Sequence, residues 1–192
     1  YDTGFTLGPG EYRLKFLARE NSTGKMGTFE TGFVVPDLSS NQPTLKLSST
    51  VWSNQREPLA AAVGRAEKDK KLIATHPLVR DGQKLIPSIT KVFRPSQELF
   101  VYLEAYDPGL TAPAMTPDLT ARLAFYRGRH KVSESGLLRV NRILPGRFRA
   151  VPLEFQVALA GLSAGRYVCQ VTVIDETGRK FAFSRTPLVV VP

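Results

Sequence analysis

The frame Leu-x-x-Gly-x-Tyr occurs twice in this chain, as Leu7-Gly8-Pro9-Gly10-Glu11-Tyr12 and as Leu162-Ser163-Ala164-Gly165-Arg166-Tyr167. The sequence after each copy repeats as well. The first Tyr leads into an alternating run over residues 13–18, then Thr23-Gly24-Lys25, Phe29 and Val34-Val35-Pro36. The second leads into residues 168–174, then Thr177-Gly178-Arg179, Phe183 and Val190-Val191-Pro192. A frame that recurs with one residue of slack marks one supersecondary unit used twice, so the chain reads as parts of two tandem modules. On this reading residues 1–36 are the C-terminal β-hairpin of a truncated upstream module and residues 37–192 are one complete module. The Ser-, Asn- and Pro-rich stretch 38–43 links them.

Alternation with a period of two governs the complete module. Leu99, Val101, Leu103 and Ala105 alternate with Phe100, Tyr102, Glu104 and Tyr106 until Asp107-Pro108-Gly109 ends the run. Ala121, Leu123 and Phe125 form a second inward set, which Arg127-Gly128-Arg129 turns into a short return strand over 131–133. Leu153, Phe155, Val157 and Leu159 form a third. Tyr167, Cys169, Val171 and Val173 form a fourth, followed by the turn Asp175-Glu176-Thr177-Gly178, where Gly178 is expected to supply positive φ. The closing strand, 181–191, is expected to bury Phe183. A first strand is expected over 45–51, with Trp52 at its end as a core or interface anchor. These turn-separated strands predict an all-β, antiparallel sandwich. One segment departs from the pattern: Pro58 ahead of Leu59-Ala60-Ala61-Ala62-Val63 has helix propensity, weakened by Gly64. It predicts a loop or short helix inserted at about residues 55–84, after the first strand.

With 192 residues and 42% hydrophobic content the chain can build an ordinary core. No run approaches the ~20 apolar residues of a membrane helix, so no membrane insertion is expected. Cys169 is the single cysteine, which rules out an intrachain disulfide and reads as a small buried hydrophobe. The net charge of +9 favours acidic partners without choosing among them. Arg127, Arg129, His130 and Lys131 crowd one turn, and Arg139, Arg142, Arg147 and Arg149 the next segment, with Tyr126 and Phe148 nearby. A nucleic-acid reading would use the arginines on phosphates and the aromatics for stacking, but no nucleic-acid motif accompanies them, and charged sheet edges account for the same pattern.

The repeated frame ahead of an alternating strand resembles the tyrosine corner of immunoglobulin-like and fibronectin type III sandwiches, in which a Tyr near the start of strand F bonds back to the loop backbone. Tyr12 and Tyr167 would occupy that corner. Tyr167 and Cys169 keep the Tyr-x-Cys spacing of immunoglobulin domains, but the partner Cys is missing, which points to a disulfide-free relative. Longer strings narrow the resemblance. Gly10-Glu11-Tyr12-Arg13-Leu14-Lys15-Phe16, Thr23-Gly24-Lys25-Met26-Gly27-Thr28-Phe29-Glu30, Leu78-Val79-Arg80-Asp81-Gly82-Gln83-Lys84-Leu85-Ile86-Pro87-Ser88 and the segment 165–187 are similar to the C-terminal β-rich region of acidobacterial VWFA-related proteins. That resemblance implies an exported chain, periplasmic or extracellular, with a von Willebrand type A domain upstream. No Asp-x-Ser-x-Ser metal loop of such a domain occurs in these 192 residues, so its metal chemistry carries over to no residue.

Catalysis finds no motif. His76 and His130 sit in no His-x-x-x-His or Gly-x-Ser-x-Gly context, and Asp107, Asp175 and Glu176 at strand ends read as turn formers rather than calcium ligands. No enzyme, cofactor or metal is expected. Two functions remain. The first is a structural or protein-interaction module, with other domains or a protein as partner and a homodimer through the N-terminal hairpin as one form. The alternative is a carbohydrate or polyanion binder using Arg127, Arg129, Arg139, Arg142 and Arg147 with the aromatic strand face of Phe100, Tyr102 and Tyr106. For that face, packing under the 55–84 insert is the competing reading.

Overall fold

The computed structural model describes residues 5–38, 43–59, 76–143 and 149–192. It divides the chain into two compact units, Tyr1–Gln42 and Pro43–Pro192. The first unit is a two-stranded antiparallel hairpin, β1 (Gly10–Arg19) and β2 (Met26–Val35). In its turn Glu20 accepts hydrogen bonds from Thr23 Oγ1 at 2.5 Å and Ser22 Oγ at 3.0 Å; these bonds, that of Thr23 foremost, hold its carboxyl below the usual range.

The second unit is a β-sandwich. One sheet is built on β9 (Glu98–Tyr106), flanked on one side by β13 (Ala150–Ala158) and on the other by the short β3 (Lys46–Leu47) and β4 (Val51–Ser53). The facing sheet runs in the order β11 (His130–Glu134), β10 (Leu119–Arg127), β14 (Gly165–Asp175), β15 (Lys180–Val190), β8 (Val92–Phe93), with β12 (Leu138–Val140) on the free part of β10. All pairings are antiparallel except the two-residue contact of β8 with β15, which is parallel.

Burial follows the alternation. Leu99, Val101, Leu103 and Ala105 from β9, Val151, Leu153 and Phe155 from β13, Ala121, Leu123 and Phe125 from β10, and Tyr167, Cys169, Val171 and Val173 from β14 fill one core, with Val157 packed against it. Truncating one of these large aliphatics leaves a cavity that costs about 2–5 kcal/mol.

Four expectations are corrected. Phe183 is 53% exposed rather than buried. The hairpin registers show why: Gly10 pairs with Val35 and Gly165 with Val190, and the same displacement carries Tyr12 opposite Phe33 onto Tyr167 opposite Leu188. It therefore carries Phe29 onto Ser184, not onto Phe183, and a shift of one residue turns a side chain to the other face. Second, the positive φ of the β14–β15 turn belongs to Arg179 (φ 51°), while Gly178 is needed for space: a Cβ there would lie 2.2 Å from Asp175 Oδ2. Third, the first strand breaks into β3 and β4. One extra residue between Leu47, opposite Ala105, and Val51, opposite Tyr102, forms a bulge that Ser48 bridges through hydrogen bonds with the Glu104 backbone, and Trp52 becomes a buried strand residue. Fourth, the 55–84 insert carries a small sheet of its own, β5 (Gln55–Pro58), β7 (Gln83–Ile86) and β6 (Val79–Arg80). Pro58, expected in the first turn of a helix, closes β5, and the expected helix beyond Leu59 lies outside the described residues.

Both tyrosine corners form. Tyr167 donates its hydroxyl hydrogen to Ser163 O at 2.6 Å and Tyr12 donates to Gly8 O at 2.9 Å, each four residues back. The glycine two residues before each Tyr takes the same backbone conformation, φ 154° at Gly10 and 157° at Gly165, a region essentially confined to glycine. That is the physical content of the repeated Gly-x-Tyr.

Tyr167→Phe removes one partner of a half-buried hydrogen bond and is expected to lower stability by about 1 kcal/mol in a urea titration. Gly178→Ala forces its Cβ onto the Asp175 carboxylate, and a loss of about 1–3 kcal/mol is expected in the same titration. Wild-type stability in both variants contradicts the assigned roles.

Candidate functional site

The face of β1–β2 that corresponds in register to the core face of β14–β15 carries Tyr12, Leu14 and Phe16 with Phe33 and Phe29 opposite them. Phe16 faces Phe29 across the strands, and the Tyr12 and Phe33 rings stack at 5.7 Å. In β14–β15 the equivalent Tyr167, Cys169, Val171 and Leu188 are buried under the opposing sheet, and Ser184 is half-buried. In the hairpin, among the described residues, Phe16 is 50% exposed and Phe29 61%. The opposite hairpin face is charged: Glu30 bridges Arg13 at 3.1 Å and Lys15 at 3.3 Å. Leu17 and Val34 are exposed on that same face, and among the described residues the aromatic side is exposed as well.

The arginine cluster of the sequence is dispersed in space. Arg127 closes one end of β10 and serves as a clamp: it donates to Ser163 Oγ and Ala164 O, both at 3.2 Å, and lies over the Tyr167 ring at 5.9 Å. Arg139 pairs opposite Thr120, near the other end of β10, beside Asp118. Seven residues of strand separate the two, roughly 23 Å. Arg129 is exposed in the β10–β11 turn, Arg142 is exposed beyond β12, and Arg147 and Phe148 lie outside the described residues. Arg149 is committed to the Asp107 carboxylate at 2.7 Å. His130 is exposed at the head of β11, where Glu134 is held below the usual carboxylate range by its hydrogen bond from Lys131, with a further contribution from Arg122.

The aromatic face of β9 is packed. Tyr102 is 7% exposed and, with Tyr106, donates its hydroxyl to the buried Glu104 carboxylate, at 2.5 and 2.8 Å. The small sheet covers this face and leaves a cleft of about 310 Å³. There the Arg56 guanidinium sits 4.3 Å over the Phe100 ring, and Arg80 is bonded to Glu154, which holds the guanidinium strongly protonated. Tyr102 lines the cleft, Tyr106 is half-buried, and the hydroxyls of both are engaged by Glu104; sequence reasoning missed Arg56 because nothing local marks it. Its only signal is the period-two alternation of a strand too short to recognise.

The strand-end acids do not converge on an ion. Asp175 is fully buried and accepts the backbone N–H of Gly109 and of Gly178, both at 2.8 Å, while Glu176 accepts from Thr120 Oγ1 at 3.1 Å. Among the described residues no group of three His, Cys, Asp or Glu is placed to hold a metal, and no helix is long and apolar enough to cross a membrane. His76 Nδ1 accepts from the Leu78 N–H at 3.1 Å. Burial pushes the Cys169 thiol far above its ordinary pKa.

No family model matches the chain, and no curated protein matches it.

With its thiolate suppressed by burial, Cys169 is expected to resist a thiol reagent in the native protein and to react fully in denaturant. Rapid native labelling contradicts its place in the core.

Proposed function

We propose that this chain is a non-catalytic structural and protein-interaction module, an immunoglobulin-like sandwich preceded by a hairpin that completes a second sandwich with strands supplied from outside residues 5–38. The observation that carries the reading is the register identity of β1–β2 and β14–β15 together with the opposite fate of their apolar faces, one packed and one open. An isolated two-stranded hairpin is marginal in water, and an apolar face of this size gains by burial roughly 25 cal/mol for every Å² removed from water. The partner that fits it is another β-sheet with an aliphatic face, as β9 and β13 provide for β14–β15.

The strand order supports the immunoglobulin-like assignment. β3 and β4, β9 and β13 stand where strands A, B and E would, and β10, β11, β14 and β15 where C, C′, F and G would. The tyrosine corner opens β14, the equivalent of strand F. The resemblance to exported VWFA-related chains supports a periplasmic or extracellular location, as part of a larger protein.

Size-exclusion chromatography and binding of the dye ANS separate this reading from an inert hairpin. The whole chain is expected to self-associate or to bind more of the dye than a chain beginning at Pro43, which retains the entire sandwich core and is expected to be monomeric. A whole chain that is monomeric and binds no more dye than the shorter one overturns the proposal.

A further inference from the structure

The outer edge of β15 is open along most of its length. β14 pairs with all of it, but on the far side β8 reaches only Val189 and Val190, so among the described residues no strand pairs with residues 180–188. A row of unpaired backbone N–H and C=O groups is a template for an added strand. The side chains around this edge are unusual for a solvated one. On the outer face Phe181 is 64% exposed and lies opposite Ile174, itself 43% exposed, and Phe183 follows opposite Thr172. On the inner face the same stretch carries the small Ala182, Ser184 and Thr186, and Ser184 Oγ accepts a hydrogen bond from Thr50 Oγ1 at 3.1 Å.

The charge along this edge has one sign. From Arg179 to the end of the chain there is no acidic residue, and Arg179, Lys180 and Arg185 form no ion pair among the described residues. Arg185 is held over the outer face, 5.3 Å above the Phe183 ring and donating to Gln170 Oε1 at 2.7 Å. Protection against edge-to-edge aggregation accounts for the cations and for Pro187, but not for two phenylalanines left in water beside them.

We propose that the open edge of β15 binds an acidic, extended segment of a partner protein as an added strand. Carboxylates on that segment meet Arg179, Lys180 and Arg185, and its apolar side chains cover Phe181 and Phe183. A second copy of β15 is excluded as the occupant because it would bring like charges together. The surface uses no residue of the hairpin, so this proposal and the reading of the hairpin fail independently.

The test is fluorescence anisotropy of the full chain with a labelled decapeptide of four central Val flanked on each side by three Glu, which sets carboxylates against Arg179 and Lys180 at one end and Arg185 at the other, with apolar side chains between them over Phe181 and Phe183. Two controls accompany it, the same peptide with Lys for Glu and the same peptide with alternate backbone nitrogens methylated. The acidic peptide is expected to bind, to weaken with added salt, and to lose at least tenfold in affinity on N-methylation or in the Lys180→Glu, Arg185→Glu double variant. Phe183→Ser provides a second, uncharged variant with the same expected loss, and a thermal melt confirms that both fold. Absence of binding, equal binding of the Lys peptide, or affinity unaffected by N-methylation or by these substitutions overturns the proposal.

Discussion

The alternation of β14 is the constraint on which the sandwich depends. It is paired on both sides, with β10 over eight residues from Tyr126 to Leu119 and with β15 along its whole length, and its inward row runs Tyr167, Cys169, Val171, Val173, Asp175. A slip of one residue would expose that entire row and bury Arg166, Val168 and Gln170 in its place. Both ends are pinned by polar contacts that tolerate no such slip. At the start the Tyr167 hydroxyl holds the Ser163 carbonyl, with the Arg127 clamp packed on the ring. At the end the Asp175 carboxylate binds two glycine amides where neither glycine could carry a side chain: at Gly109 a Cβ would lie 2.4 Å from the Gly178 nitrogen. These interactions do not supply the bulk of the stability, which comes from the aliphatic core. They select the one register in which that core exists.

The hairpin at the start of the chain repeats the first half of this device and lacks the second. It has the glycine, the tyrosine and the bond to the carbonyl four residues back, and its register matches. Glu20 takes the place of Asp175 and turns to Thr23 and Ser22 at the surface. No facing layer covers its aromatics among the described residues. Identical local geometry therefore accompanies opposite burial, and the difference lies in the sheet opposite, not in the hairpin. Two exposed apolar surfaces follow from this architecture, one on the hairpin face and one along β15, and both have the form of sites completed by another β-structure.

Sequence periodicity reveals the long strands and their inward sides because each alternates over seven or more residues, which leaves one phase consistent with a core. Phe183 shows where this runs out: matching aromatics in two repeats is not the same as matching registers, because the displacement that carries Gly10 onto Gly165 and Val35 onto Val190 carries Phe29 onto Ser184. The short strands β3 to β8 are illegible for a related reason, since two to four residues carry no measurable period. The cluster of arginines in the sequence misleads because neighbours along a hairpin are carried to opposite ends of β10. Arg127 and Tyr102, singled out as ligand candidates, both make internal hydrogen bonds that no local pattern announces. The open edge of β15 leaves no trace in its own sequence beyond two aromatics on the wrong side of the alternation. Only the pairing of its neighbours reveals it.

Backbone hydrogen exchange in the dilute chain tests most directly whether protection comes from the facing sheet rather than from the hairpin itself. The amides of β1 and β2 are predicted to exchange orders of magnitude faster than their register equivalents in β14 and β15, whose opening requires loss of the core. Equal protection in the two hairpins at high dilution would contradict the account, because it would mean that the Tyr12 hairpin is stable without any layer over its aromatic face.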